Sequence, residues 1–416
     1  MIYIHIPFCR SFCTYCDFYS EIAGGCADEF VSALESEIRL RADEISSEIN
    51  TLYIGGGTPS VLPLSVLEHI VAVLDEVGYG CPYDEFTVEV NPDDIVEKGE
   101  AYVEALMHLG VNRISMGVQS FDDGILRWMN RRHDAASARK AYAILENAGI
   151  GNISIDLIFG LSQLSDDMWA DTLKKALEIS SKGVLPQHIS SYQLSVEPGS
   201  ALARLVRNGL WKEASDETCM RQYAMLCDAL RGAGYNHYEI SNFALPGFEA
   251  RHNSAYWRHV PYTGFGPGAH SYLPPQVQGH SVLSGACRKW NEGNLRLYVE
   301  AVESGNLALV QGRESLTQEQ LVMEHIMLAL RTSEGIPESF LRSHCDPHIL
   351  RRALAAGNLV PAASCVATSR SASATASCAT TSEPCYGSFG SGLAATSLRI
   401  PESRFFISDS IIAELV

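Results

Sequence analysis

The chain of 416 residues is 46% hydrophobic and 19% charged, an ordinary globular composition with length for roughly two to three domains at ~150 residues each. Its net charge of −18 repels phosphate backbones and argues against a general nucleic-acid binder, and the densest basic cluster, Arg127, Arg131 and Arg132, is too short to form a binding stripe. The start, Met1-Ile2-Tyr3-Ile4-His5, carries no charged leader or cleavage site, and no apolar run reaches about 18 residues, so a cytoplasmic protein without a transmembrane segment is expected.

Short β-rich runs alternate with helical stretches from the first residue. Ile2–Ile6 precedes a helix near Asp28–Glu44, Thr51–Gly55 precedes Leu64–Glu76, and Glu85–Val90 precedes Val96–Leu109. Arg113–Val118 then precedes Ala135–Ala148, Asn152–Phe159 precedes Asp166–Ile179, and His188–Val196 closes the series. Parallel strands need crossover connections, so this rhythm predicts an α/β fold with a parallel sheet covered by helices. Six units fall short of a full eight-stranded barrel, and a partial (β/α)6 TIM-like barrel is the expected form.

Beyond residue 200 a helix is predicted over Ser215–Ala233, followed by a polar, aromatic and Gly/Pro-rich region from Tyr238 to Pro275 that reads as irregular structure over the sheet. Thr317–Leu330 has Leu321, Ile326, Met327 and Leu330 near helical spacing, with Ser315 or Thr317 as its cap. Residues 362–397 are mostly Ala, Ser and Thr and lose apolar periodicity, a composition that suits a linker or flexible loop. Leu398–Val416 regains a foldable pattern, with Phe405, Phe406, Ile407, Ile411, Ile412 and Leu415 placed to dock as a strand and a helical turn. The expected domains are a barrel over 1–235, an irregular extension over 236–310, and a small, mainly helical C-terminal domain over 311–416 interrupted by 362–397.

The chain has 12 cysteines, and in a reducing compartment clustered thiols more often hold metal than pair. Cys9-x-x-x-Cys13-x-x-Cys16 follows directly on the first strand. Three thiolates on one loop can ligate three irons of a [4Fe–4S] cluster and leave the fourth iron open to an exogenous group. Zinc is the main rival, but it wants a fourth Cys or His at short spacing, which Asp17-Phe18-Tyr19 does not supply. His5 reads as a strand residue. Cys365, Cys378 and Cys385 fall in the biased segment, and Cys26, Cys81, Cys219, Cys227, Cys287 and Cys345 read as small buried hydrophobes. Gly55-Gly56-Gly57-Thr58-Pro59 ends the second strand with a run that lets backbone approach a ligand closely, and it is neither a dinucleotide fingerprint nor a P-loop. Glu89, Gln119, Arg131 and Asp156 fall at or just beyond strand ends, where β/α barrels build their sites.

Ile4-His5-Ile6-Pro7-Phe8-Cys9 through Cys16-Asp17-Phe18 resembles the start of radical S-adenosylmethionine (SAM) proteins, in the branch containing oxygen-independent coproporphyrinogen III oxidases and their haem-chaperone relatives. The resemblance runs through nearly the whole chain except the biased segment. It implies a [4Fe–4S] cluster on Cys9, Cys13 and Cys16 whose open iron takes the amino and carboxylate groups of SAM. It also implies SAM contacts from Tyr3, Gly57, Thr58, Glu89, Gln119, Arg131 and Asp156, with acids for the ribose hydroxyls and amine and arginine for the carboxylate.

Two features incline the resemblance towards the chaperones. The oxidases read C-x-x-x-C-x-x-C-x-C and carry a longer amino-terminal arm, whereas Phe18 stands at the place of that further cysteine and the cluster loop begins early in this chain. His252-Asn253-Ser254-Ala255-Tyr256-Trp257 resembles the H-N-x-x-Y-W signature of the chaperone branch, which makes His252 the candidate haem ligand beside apolar aromatic surface; a satisfied core histidine is the plainer alternative. His270, in Gly266-Pro267-Gly268-Ala269-His270, is a weaker candidate with a structural role. The expected function is haem binding and transfer to an acceptor protein, with an electron donor such as a flavodoxin or ferredoxin and with transient membrane association only through the acceptor. The alternative is oxidative decarboxylation of coproporphyrinogen III.

Overall fold

The alternating aliphatic runs fold as parallel strands: β1 (Ile2–Ile6), β2 (Thr51–Gly56), β3 (Glu85–Val90), β4 (Arg113–Gln119), β5 (Ile153–Phe159) and β6 (His188–Gln193). The structure, a computed structural model, describes residues 1–24, 27–46, 48, 50–278, 281–362 and 396–416. The strands lie side by side in chain order, with Ile4 beside Ile54, Leu52 beside Phe86 and Ile114 beside Ile153. Between them run the helices α1 (Ala27–Leu40), α2 (Leu64–Glu76), α3 (Pro92–His108), α4 (Asp123–Trp128), α5 (Ala135–Ala148) and α6 (Asp166–Leu177), and α7 (Ala201–Arg207) and α8 (Asp216–Gly232) follow β6. The result is a partial (β/α)6 barrel.

Its core lies between sheet and helices, where Ile54, Phe86, Val88, Ile114 and Met116 from the strands and Leu34, Ile70, Val103, Leu145 and Trp169 from the helices are fully buried. Pro92 opens α3, a helix start that the reading from Val96 passed over; proline lacks the N–H that the first turn leaves unpaired anyway. Gly99 interrupts α3 at φ 73°, a conformation glycine takes readily.

Region 238–275 differs from expectation, because it extends the sheet at both edges. β7 (Asn236–Glu239) and β8 (Asn242–Ala244) form an antiparallel hairpin against β6, and β9 (Thr263–Phe265) pairs in parallel with β1. Strands this short show no readable period between their glycines and prolines. Between the two edges sits α9 (Arg251–Trp257), the helix that carries the His252 motif.

β9 is fastened by a buried ion pair. Glu37 in α1 is fully buried, accepts from Arg41 Nη1 at 2.6 Å, and accepts from Gly266 N, Asn291 Nδ2 and Tyr298 Oη at 2.8 Å each. Arg41 donates in turn to Gly264 O and Ser271 Oγ. Every lone pair of this charge is answered from the chain around β9, which is the condition under which a buried ion pair is tolerated.

The chain divides into two compact units, Met1–Leu328 and Ala329–Val416. Thr317 rather than Ser315 caps the helix Gln318–Ala329: its hydroxyl accepts from Gln320 N while Gln320 Oε1 accepts from Thr317 N. In the second unit the strands Ile336–Pro337, Val360–Pro361 and Ser397–Arg399 make a small antiparallel sheet beside the helices Glu338–His344, Pro347–Ala355 and Ser408–Leu415. Phe405, Ile411, Ile412 and Leu415 are buried there as the pattern predicts, whereas Ile407 is exposed. Nearly all of the Ala/Ser/Thr-rich segment, with Cys365, Cys378 and Cys385, lies outside the described residues, as does Cys26. Cys219, Cys227, Cys287 and Cys345 are buried as expected, and Cys81 is exposed. Among the described residues no helix is long and apolar enough to cross a membrane.

Candidate functional site

A parallel sheet buried on both faces reads as continuous aliphatic sequence. These strands do not: Tyr53, Glu89, Arg113, Ser115, Asp156 and Ser190 stand at alternate positions and turn towards the barrel interior, where they line a cleft of about 920 Å³. The cysteine loop closes its upper side with Cys9, Cys13 and Cys16, and Gly57, Thr58, Gln119 and Arg131 complete the wall.

The loop is held by backbone. Gly57 N donates to Ile6 O at 2.8 Å and Thr58 N to Phe8 O at 2.7 Å, while Thr14 N and Asn130 Nδ2 tie the loop to the end of α4 through Met129 O and Phe12 O. A Cβ on Gly57 would lie 2.7 Å from Phe8 O and 2.8 Å from Ile6 O, so the glycine run is required by the loop packed on it as well as by any ligand. The cysteine sulfurs have partners: Cys9 Sγ is 3.4 Å from Thr58 Oγ1, and Arg131 Nη1 is 3.4 Å from Cys13 Sγ. Burial pushes the Cys16 thiol up to about 11 and raises that of Cys9, so metal must displace protons here as it binds.

Glu89 accepts from Tyr53 Oη at 2.6 Å and from Gly56 N at 3.1 Å. Burial lifts its carboxyl to about 7 against those hydrogen bonds, and nearby Asp156 adds to the rise. Burial likewise raises Asp156 to about 6, although the hydroxyls of Ser190 and Ser115 pull it down. Two acids poised this way are held for hydroxyl or cationic groups of a ligand. Gln119 sits at φ 67° beside a register shift in β4, a conformation that non-glycine residues keep only where the surroundings impose it. Arg131 donates to Asn91 Oδ1, Gly117 O and Cys13 Sγ, while its Nε is buried with no acceptor among the described residues. Three thiols on a loop and an orphaned guanidinium donor fit a cluster with an anionic ligand group beside it.

Tyr3 and His252 are not brought to this cleft. The Tyr3 ring lies 6.1 Å from that of Tyr53, behind the wall, and its hydroxyl is 3.0 Å from His5 Nδ1. His5 Nε2 donates to Tyr19 O at 2.9 Å, so Nδ1 accepts and Tyr3 is the donor; His5 is a buried strand residue, as expected. His252 requires a correction. It is 1% exposed, with Nδ1 2.9 Å from Thr51 Oγ1 and Nε2 3.1 Å from Tyr256 Oη, so neither nitrogen is open to iron. Glu85 accepts from the N–H groups of Arg251 and His252 and caps α9 against the amino ends of the strands. The motif thus fixes a helix under the barrel, and Asn253 is its residue that reaches the cleft. His270 is exposed and stacks near Trp290, away from the cleft. Replacing His252 with alanine is expected to leave the absorption spectrum of bound haem unchanged and to lower stability by about 1–3 kcal/mol through unpaired Thr51 and Tyr256 hydroxyls, measured by haem titration and by urea denaturation.

Residues 3–176 match the radical SAM superfamily, a family that implies a [4Fe–4S] cluster and SAM. The heme chaperone HemW of Lactococcus lactis is 35% identical over 335 residues, covering 80% of this chain and 82% of that protein. The chain belongs to the HemW family. The HemW of Bacillus subtilis is 33% identical over 338 residues, with 80% and 84% covered, and the mitochondrial radical S-adenosyl methionine domain-containing protein 1 of Danio rerio is 32% identical over 340 residues, with 80% and 73% covered. The Escherichia coli coproporphyrinogen III oxidase HemN shares the fold at a TM-score of 0.75 and 21% identity, over 99% of this chain and 89% of that one. The cleft also holds residues that motif reading overlooked: Tyr53, Asn91, Arg113, Ser115 and Asn253. The signal for the strand residues among them was available as polar side chains at every second position of strands otherwise rich in Ile and Val, and the HemW-family motif drew attention to His252 instead of its neighbour.

Proposed function

We propose that this protein binds haem and passes it to an acceptor protein, on a radical SAM scaffold in which Cys9, Cys13 and Cys16 hold the cluster and Gly57, Thr58, Glu89, Gln119, Arg131 and Asp156 hold SAM. The observation that carries this reading is the 35% identity over 335 residues to a protein named heme chaperone. Phe18 supports it, standing where the oxidases have a further cysteine. Phe12 and Phe18, 51% and 71% exposed on the cysteine loop at the rim of the cleft, would offer the macrocycle an apolar surface. When bound, the reduced cluster supplies an electron to the sulfonium of SAM; an external donor of the flavodoxin or ferredoxin type would deliver that electron. The residues of this chain hold and orient the two groups.

One preparation of the anaerobically reconstituted protein tests the reading, titrated with haem and separately incubated with coproporphyrinogen III, SAM and a reductant. Stoichiometric haem uptake without decarboxylation is the expected result. Turnover of coproporphyrinogen III would replace the chaperone reading with the oxidase.

A further inference from the structure

Asn91 holds neither the cluster nor SAM in the reading above, yet it joins two of the residues that touch cysteine sulfur. It occupies the N-cap of α3, where an asparagine side chain ordinarily accepts from the first turn of the helix, and here it makes no capping bond. Its carboxamide turns instead into the cleft, 2.6 Å from Arg131 Nη2 and 3.2 Å from Thr58 Oγ1.

The direction of each bond in this chain follows from chemistry alone. A guanidinium can only donate, so the amide atom facing Arg131 is the oxygen, and the nitrogen faces Thr58. Thr58 Oγ1 therefore accepts from Asn91, and its single hydrogen is left for Cys9 Sγ at 3.4 Å. At the other end Arg131 Nη2 is held between Asn91 Oδ1 and Gly117 O, which sets the plane that brings Nη1 to 3.4 Å from Cys13 Sγ. One amide thus aims a donor at each of two cysteine sulfurs. Hydrogen bonds to ligand sulfur stabilise the more electron-rich, reduced form of an iron–sulfur cluster and raise its potential.

We propose that Asn91 is a positioning residue which, through Thr58 and Arg131, directs hydrogen bonds onto the sulfurs of Cys9 and Cys13 and thereby raises the reduction potential of the cluster. The inference rests on those cysteines being the cluster ligands. The couple concerned takes one electron from an external low-potential reductant, and no bond forms or breaks. Aspartate is isosteric with Asn91 but cannot donate to Thr58; it would draw the threonine hydroxyl hydrogen to itself and away from Cys9.

The test is a midpoint titration of the reconstituted full chain with dithionite and mediators, read by the spectrum of the reduced cluster. Asn91→Asp should shift the potential negative by at least a tenfold change in the one-electron equilibrium, ~59 mV. Thr58→Val should also shift it negative, Thr58→Ser should restore the starting value, and the Asn91→Asp, Thr58→Val double variant should shift by clearly less than the sum. An unchanged potential in Asn91→Asp, or a fully additive double variant such as a bare charge effect would give, overturns the proposal. If Asn91→Asp takes up no iron, equal potentials for Thr58→Val and Thr58→Ser overturn it. Failure of the ligand reading is separately visible, because the cluster would then survive Cys13→Ala.

Discussion

Replacing Cys13 with alanine is expected to reduce the iron and sulfide content of the reconstituted protein to background while the chain stays folded. Three thiolates are the fewest protein ligands that hold a [4Fe–4S] cluster with one open iron, and the described neighbours of Cys13 offer no further thiolate: Phe12 and Thr14 flank it, and its sulfur faces the Tyr15 hydroxyl and the guanidinium of Arg131, which has no lone pair to give. The loop stands outside the packed layer between sheet and helices, and it is anchored through backbone atoms of Phe12 and Thr14 rather than through the sulfur. Unfolding free energy of the metal-free variant should therefore lie within about 1 kcal/mol of the metal-free parent, the range of substitutions away from the core. Iron and sulfide analysis with parallel urea denaturation checks both halves. One zinc per chain and no sulfide in the parent protein would overturn the cluster assignment itself.

Glu37→Ala should have the largest effect on stability, a loss of about 3 kcal/mol, the lower end for breaking a buried ion pair, because it takes from buried Arg41 one of its two carboxylate partners and leaves Glu44 alone to compensate the charge. It also removes the acceptor for Gly266 N, Asn291 Nδ2 and Tyr298 Oη. Those three belong to the chain that carries β9 and packs it against β1, so the sheet should loosen at that edge first. Hydrogen exchange should show faster exchange at Ile2–Ile6 and Thr263–Phe265 before the opposite edge at β7 responds. Uniform loss of protection across all strands would instead mean that the ion pair supports the whole barrel equally.

Much of the fold could be read from local pattern. The apolar periods of Leu64–Glu76 and Ala135–Ala148 give their helices to the residue, and a proline or glycine punctuates most boundaries. What escaped depends on distant partners. β9 has only three residues and owes its place to Ser271 and above all to Arg41, which is remote in sequence, so no local period marks it. In the site, spacing alone marked the cysteine loop, since three thiols in one loop need no tertiary knowledge. The role of His252 was not legible, because a histidine beside Tyr and Trp reads the same whether its nitrogens face a ligand or, as here, Thr51 and Tyr256. Asn91 escaped for a related reason: an asparagine before a helix-opening proline reads as a cap, and only the positions of Thr58 and Arg131 reveal the other use of its amide.

The helix beneath the barrel covers the amino-terminal end of the interior. Glu85 and Thr51 bind α9 to the amino ends of the strands, and the opposite end opens past the cysteine loop. The floor near Asn253 and Arg113 is therefore deeper in the cleft than the rim that carries Phe12 and Phe18. Under the proposed function, a macrocycle held at that rim would be exchanged without displacing a cofactor seated below it.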